Sequence, residues 1–151
     1  MRSCGSCTKC CYFMEVRQLG SPPCVYCKHC TPDVGCSIWE KRPEVCRTFG
    51  CFWWHQEQLP EFLRPDNLGV MFELPPMCKV IVGYVDPEWI DAWQTKSARE
   101  FVHKLVEAGY PVVLRLGLDK PNRIYLPNGW TNKKVREELQ RAYELIQESM
   151  E

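Results

Sequence analysis

The chain has 151 residues, 45 % apolar and 25 % charged, with 19 Lys or Arg against 19 Asp or Glu. This length and composition suit one domain with its own hydrophobic core and exclude a fibre, a linker or an extensively disordered chain. Zero formal net charge leaves no global basic field for nucleic acid or an anionic membrane, so neither is expected as a partner.

Eleven cysteines are present, and ten of them fall between Cys4 and Cys51, with Cys78 alone beyond. A density of that kind comes from a disulfide scaffold or from thiolate metal binding. The start of the sequence has no apolar stretch of the signal-peptide type, and the longest apolar run, about residues 80–85, is far short of the roughly 20 residues of a membrane span. A cytosolic protein is expected, with thiols kept reduced, and an odd cysteine total fits a closed disulfide set poorly. Metal is therefore the favoured cause.

Residues 1–54 read as a cysteine-rich, metal-binding lobe. Gly5, Gly20, Pro22, Pro23, Pro32, Gly35, Pro43 and Gly50 punctuate it and favour turns. Such a segment buries little apolar surface per residue, so bound metal is expected to supply much of its folding free energy. A short helix is expected from Pro43 through Phe49 to a Gly50 stop, which places Cys46 on a rigid element. Phe52, Trp53 and Trp54 are expected to seal the lobe against the rest by burial.

Residues 55–151 read as an α+β half forming one compact unit with the lobe. Strands are expected over 70–74 and 79–85, both rich in β-branched and aromatic residues and separated by Pro75 and Pro76. Asp86 and Pro87 open a helix over 87–108 that buries Trp89, Ile90, Trp93, Phe101, Val102, Leu105 and Val106 and stops at Gly109. Further strands follow over 112–116 and 123–126, joined by a turn at 119–122. A last helix over 132–150, capped by Thr131, carries Val135, Leu139, Ala142, Tyr143, Ile146 and Met150 at spacings of three and four. The order is ββαββα.

Cys4-x2-Cys7-x2-Cys10-Cys11 and Cys24-x2-Cys27-x2-Cys30 with Cys36 carry the chemistry. A two-residue gap lets two sulfurs turn to one ion while backbone N–H groups donate to the thiolates, as zinc and iron-sulfur sites require. Thiolates select zinc, copper(I) or iron-sulfur clusters over hard cations. The ferredoxin pattern calls for Cys-Pro after its run, whereas Tyr12 follows Cys11 and Ser37 follows Cys36, so zinc fits the spacing more readily. Adjacent Cys10 and Cys11 point differently and serve two metals or leave one thiol free. A Cys4-type zinc site carries two negative charges, and residues 1–54 hold seven Lys or Arg against four Asp or Glu, an excess of the right sign. Arg42 and Arg47 flank Cys46 and are candidate charge partners.

The runs Cys4-Gly-Ser-Cys7-Thr-Lys-Cys10-Cys11, Cys27-Lys-His-Cys30 and Gly35-Cys36-Ser-Ile-Trp39-Glu-Lys-Arg42-Pro43-Glu-Val-Cys46-Arg47-Thr-Phe49-Gly-Cys51 resemble the CxxCxxCC family of zinc- or iron-chelating proteins, named for the bacterial YkgJ proteins. Residues 63–73 resemble the continuation in one branch of it. The resemblance implies nine metal ligands: Cys4, Cys7, Cys10, Cys11, Cys27, Cys30, Cys36, Cys46 and Cys51. It implies zinc or iron as the cofactor and assigns no reaction, and Cys24 and Cys78 fall outside its pattern. A similar cysteine cluster in flagellin lysine N-methylases implies an iron-sulfur cluster there.

His29 and His55 are available donors that nine thiolates make unnecessary, and His103 reads as a helix-surface residue. Cys78 reads as a buried thiol that becomes a ligand only if its strand packs on the lobe. The α+β half has no phosphate loop, nucleophile elbow or zincin motif. The leading expectation is a metal-binding protein holding zinc or iron. The alternatives are an iron-sulfur oxidoreductase or protein-modifying enzyme, with a pocket of Arg42, Arg47, Trp53, Trp54 and His55, and a metal-stabilised interaction module with an exposed apolar face on the last helix.

Overall fold

The computed structural model describes residues 2–150, the side chain of Met150 excepted. The fold is α+β. In the lobe, α1 (Cys10–Phe13) is followed by a two-stranded hairpin, β1 (Cys30–Thr31) and β2 (Gly35–Cys36), then α2 (Glu44–Thr48) and α3 (Phe52–His55). After α4 (Pro65–Leu68) come β3 (Val70–Glu73), β4 (Ile81–Val85), α5 (Lys96–Glu107), β5 (Val112–Arg115), β6 (Arg123–Tyr125) and α6 (Asn132–Met150).

The expected ββαββα order of the second half is present. The four strands lie in the order β3-β4-β5-β6, and every neighbouring pair is antiparallel except β4 and β5. Those two are parallel because α5 carries the chain back across the sheet between them. Alternate side chains therefore build two separate layers. Val70, Phe72, Ile81, Val85, Val112 and Leu114 face Phe101, Val102 and Leu105 of α5 together with Trp53, Leu63 and Leu68. The opposite face is shared. Val80 and Val113 pack under Val135 and Ala142 of α6, and Met71 packs under Tyr12 and Phe13 of α1.

The expected helix over 87–108 is broken. Asp86 does cap its start, accepting from the Glu88 N–H at 3.0 Å, but only single turns form at Pro87–Trp89 and Ala92–Gln94. The chain then extends at Thr95, whose hydroxyl caps α5 by accepting from Ala98 N–H at 3.3 Å. Two capping residues nine apart start the helix twice. The bend brings Trp89 and Ala92 onto Gly69, where a Cβ would lie 2.4 Å from the Trp89 ring. Trp89 consequently stays 43 % exposed instead of entering the core.

In the lobe, α2 forms at the expected place with Pro43 before it, but Gly50 has a different role from a left-handed helix stop. Phe49 extends the chain, and Gly50 leaves room for the rings behind it, since a Cβ would lie 2.6 Å from His55 Nε2 and 2.7 Å from the Trp54 ring. The aromatic seal is present. Trp53 is buried in the α5-side core, its indole N–H donates to Pro60 O at 3.0 Å, and Phe52 stands against Phe101. Across the other face, Lys9 Nζ meets Asp86 Oδ2 at 2.6 Å. Lobe and sheet thus share side-chain packing at both surfaces. Among the described residues no helix is long and apolar enough to cross a membrane, and Leu145 is the large apolar side chain that α6 leaves exposed.

Candidate metal centre

Short-range backbone bonds turn the cysteines inward. Cys7 N–H donates to Cys4 O at 3.1 Å and Cys30 N–H to Cys27 O at 2.8 Å, so both C-x2-C steps are closed turns. Cys27 N–H donates to Cys11 O at 3.0 Å, which ties the second cysteine group to the end of the first. The hairpin pairs Cys30 with Cys36 across β1 and β2, putting their side chains side by side on one face. Thr8, buried, accepts from Asp33 N–H at 3.1 Å through its hydroxyl and pins that hairpin to the turn before α1. Cys46 arrives on α2.

These connections bring Cys10, Cys11, Cys27, Cys30, Cys36 and Cys46 to the wall of one cavity of about 90 Å³. Its remaining wall is largely apolar, with Met14, Val16, Leu19, Ile38, Val45 and Phe49, and Arg42 stands at its edge. Contact with the Cys10 thiol, ahead of burial, pushes Cys11 well above the usual thiol range. Burial, with the Cys11 thiol beside it, pushes Cys30 up to about 12, and burial also raises Cys46, which feels Cys11, Cys27 and Cys36. Arg42 pulls Cys11 and Cys46 the other way. Its Nε donates to Trp39 O at 2.8 Å and its guanidinium stacks on the Trp39 ring at 3.4 Å, so its charge is held in place beside the sulfurs.

Cys4, Cys7 and Cys51 lie outside the lining of that cavity, near the starts of α3 and α4. Burial raises all three thiols, Cys7 to about 12. All eleven cysteines are free thiols. Among the described residues no group of three or more Cys, His, Asp or Glu side chains is positioned to hold a metal ion. The donor chemistry still fits a soft cation. Half-buried thiols share a largely apolar cavity wall, where a positive charge would favour ionised sulfur, and zinc or iron would supply that charge.

The other expected residues are dispersed. Arg47 pairs with Glu44 at 3.0 Å on the exposed side of α2. His55 stacks edge-on against Trp54, and Trp53 is buried in the main core, so neither joins Arg42 at the thiol cavity. His103 pairs with Glu107 at 3.2 Å on the outside of α5. Cys24 packs beside Tyr12 and Phe13 with a positive φ of 59°. Cys78 is buried on the α6 side of the sheet, where its sulfur accepts from Val80 N–H at 3.4 Å.

Two features had no sequence signal. The apolar wall of the cavity is assembled from α1, α2 and loops without any period. A polar group also crosses the sheet between the lobe and α6: Tyr84 donates to Glu73 at 2.9 Å, and Arg115 Nη2 donates to the Tyr143 hydroxyl at 2.7 Å. Burial pushes Glu73, Tyr84 and Tyr143 up, and Arg115 Nε is buried with no hydrogen-bond partner among the described residues. Phe13, on the same short helix as Cys10 and Cys11, stands 6.1 Å from the Tyr84 ring. No family model, curated protein or solved structure matches the chain.

Proposed function

We propose that this protein binds zinc or iron through cysteine thiolates of its N-terminal lobe, in the reducing setting of the cytoplasm. The observation that carries the reading is the convergence of six thiols, brought from the 10–11, 27–36 and 46 segments, on one small apolar cavity. Cysteines can pack as small apolar side chains, but six of them on one small cavity exceed what packing calls for, and soft-metal ligation needs thiolates gathered in a shaped site. Arg42 supports the same reading, because a thiolate-rich centre carries net negative charge that a fixed guanidinium offsets. The CxxCxxCC resemblance points to the same metals.

When bound, the metal supplies Lewis-acid or redox chemistry according to its identity. The chain's own contribution is to gather the sulfurs, to exclude water with Met14, Val45 and Phe49, and to hold a positive charge at Arg42.

The test is metal analysis with absorption spectroscopy on anaerobically purified full-length protein. Zinc or iron at one equivalent or more is expected, colourless for zinc and with charge-transfer bands for an iron-sulfur cluster. Protein that carries no metal and takes up neither zinc(II) nor iron(II) with sulfide under reducing conditions would falsify the proposal.

A further inference from the structure

Cys30 and Cys36 are brought together by the backbone ladder of the hairpin, whatever their side chains do. They are direct partners in the β1–β2 register. One residue further from the turn, Ser37 N–H donates to His29 O at 2.8 Å, while Cys30 N–H is turned to Cys27 O at 2.8 Å. A ladder bond between 37 and 29, with the amide of Cys30 facing away from Cys36, is the pattern of a non-hydrogen-bonded antiparallel pair. That is the closer of the two kinds of pair, with Cα atoms about 4.5 Å apart. A disulfide spans Cα separations of about 4.4–6.8 Å, so the register already meets the condition for an S–S bond.

The hairpin is held in that register from outside as well. Val34 N–H donates to Thr31 O at 3.0 Å across the turn, and Thr8 Oγ1 holds Asp33 N–H at 3.1 Å. Both sulfurs line the cavity, and both cysteines are half-buried, within reach of a dissolved oxidant. The neighbouring thiols are worse placed. Cys27, across its turn from Cys30, is buried. Cys10 and Cys11 are successive residues of α1, about 100° apart around a helix, so a bond between them requires α1 to unwind. Cys46 comes from α2, outside the hairpin.

We propose that Cys30 and Cys36 are an oxidative modification site: on exchange with a small-molecule disulfide of the glutathione type they close into a cross-strand disulfide, which withdraws two donors from the cavity and lowers its hold on a metal. The thiolate of one cysteine attacks a sulfur of the incoming disulfide, forming a mixed disulfide and expelling one thiolate. The second cysteine, deprotonated in its turn, attacks the protein sulfur of the mixed disulfide and expels the other. The two protein thiols give up two electrons and two protons, and the incoming disulfide takes both and becomes two thiols. Four of the six cavity thiols are left. The loss of metal rests on the metal-binding reading of the lobe, whereas formation of the disulfide does not.

The test equilibrates the reduced, metal-free, full-length chain with glutathione buffers of rising disulfide content and traps the remaining thiols with N-ethylmaleimide. Trypsin cleaves after Lys28 and Lys41, so Cys30 and Cys36 travel on one peptide, 29–41, with no other cysteine. That peptide is expected to be the first cysteine peptide to escape alkylation, two hydrogens lighter than its dithiol form and without a glutathione adduct. Full alkylation of 29–41 while other cysteines oxidise overturns the site. So does an end point in which Cys30 or Cys36 is joined to another peptide, Cys27 included, or to glutathione. In the second arm, reduced and oxidised chains are loaded with zinc(II) or with iron(II) and sulfide and challenged with a chelator. The oxidised chain is expected to hold metal more weakly by more than the roughly tenfold that loss of one supporting partner costs. Equal retention by both chains overturns the control of metal by oxidation and leaves metal binding standing. A reduced chain that retains no metal overturns the metal-binding reading and the control with it, and the disulfide is then judged by peptide 29–41 alone.

Discussion

The sheet and the cysteine lobe reach a folded state by different means. In the sheet, Met71, Val80, Ile81, Val82 and Val112 are 0 % exposed, and helices cover both faces, so apolar burial is ample to stabilise it. In the lobe the helices α1, α2 and α3 run only four or five residues, and most of the cysteines are half-buried thiols. Helices that short are not stable by themselves. The lobe instead leans on the sheet through Phe13 on Met71, Trp53 in the main core and Lys9 on Asp86. On the proposed metal-binding reading, the difference makes the thiol cavity the part whose stability would respond most to a bound cation, while its outer anchors belong to the protein alone.

Removing an anchor tests how far the two regions depend on one another. Trp53→Ala deletes a buried indole from the shared core and the ring beneath Arg2, and should cost about 3–5 kcal/mol in denaturant unfolding. Loss of the far-UV signal in one transition is the expected result, and two transitions would show that the regions fold separately.

The charged anchor is next in size. Burial works against the charge on Lys9, but the hydrogen bond and opposite charge of Asp86 more than offset it and raise its pKa. Asp86→Ala leaves that ammonium without its partner in a nearly dry seam and removes the cap on Glu88 N–H, so a loss of about 3 kcal/mol is expected from chemical unfolding. A change below about 0.5 kcal/mol would mean that solvent reaches Lys9 in the folded protein.

Cys30→Ser acts on the lobe alone. Serine keeps the size and removes the soft donor, so retention of the cavity metal against a competing chelator should weaken at least tenfold, about 1.4 kcal/mol. Metal-free variant and metal-free wild type should melt within about 2 °C of each other, because the hairpin backbone is unchanged.

The smallest effect is expected in the polar group between lobe and α6. Burial raises Glu73 above the usual carboxylate range, so the fold favours its neutral form. Its ionisation therefore costs stability as pH rises from the unfolded pKa through the raised folded one, and the full cost persists above that. Glu73→Gln keeps an acceptor for Tyr84 and cannot ionise. It should raise Tm at pH 8 by no more than about 4 °C and change it less at pH 4. An equal change at both pH values would contradict an ionisation origin.

The second half of the fold was legible because its signals are local. Runs such as Val70-Met71-Phe72 and Ile81-Val82 are strand-like by composition, and the spacing of Val135, Leu139 and Ala142 marks a helix face. The expected helix over 87–108 is interrupted by a second cap at Thr95, and the bend is accommodated by Gly69, remote in sequence, which admits Trp89 and Ala92. In the lobe, the C-x2-C turns were legible from spacing, but the pairing of Cys30 with Cys36 was not, since the five intervening residues of β-hairpin leave no period. Arg42 could be anticipated from charge balance, and it stands at the sulfurs. Arg47 carried the same signal, yet it follows Cys46 by one residue, about 100° around α2, and turns to Glu44. The contacts of Arg2 with Trp53 O and of Arg64 with Ser6 Oγ, which tie the first residues to α3 and α4, join residues more than fifty apart, which no local pattern encodes.

Hydrogen exchange of the reduced full-length protein, followed by mass spectrometry with its metal in place and after chelation, tests the contrast most directly. Residues 4–51 should lose protection by at least tenfold when the metal is removed, while β3, β4 and β5 should exchange as slowly as before. Identical exchange in the lobe with and without chelator would contradict a metal-supported lobe.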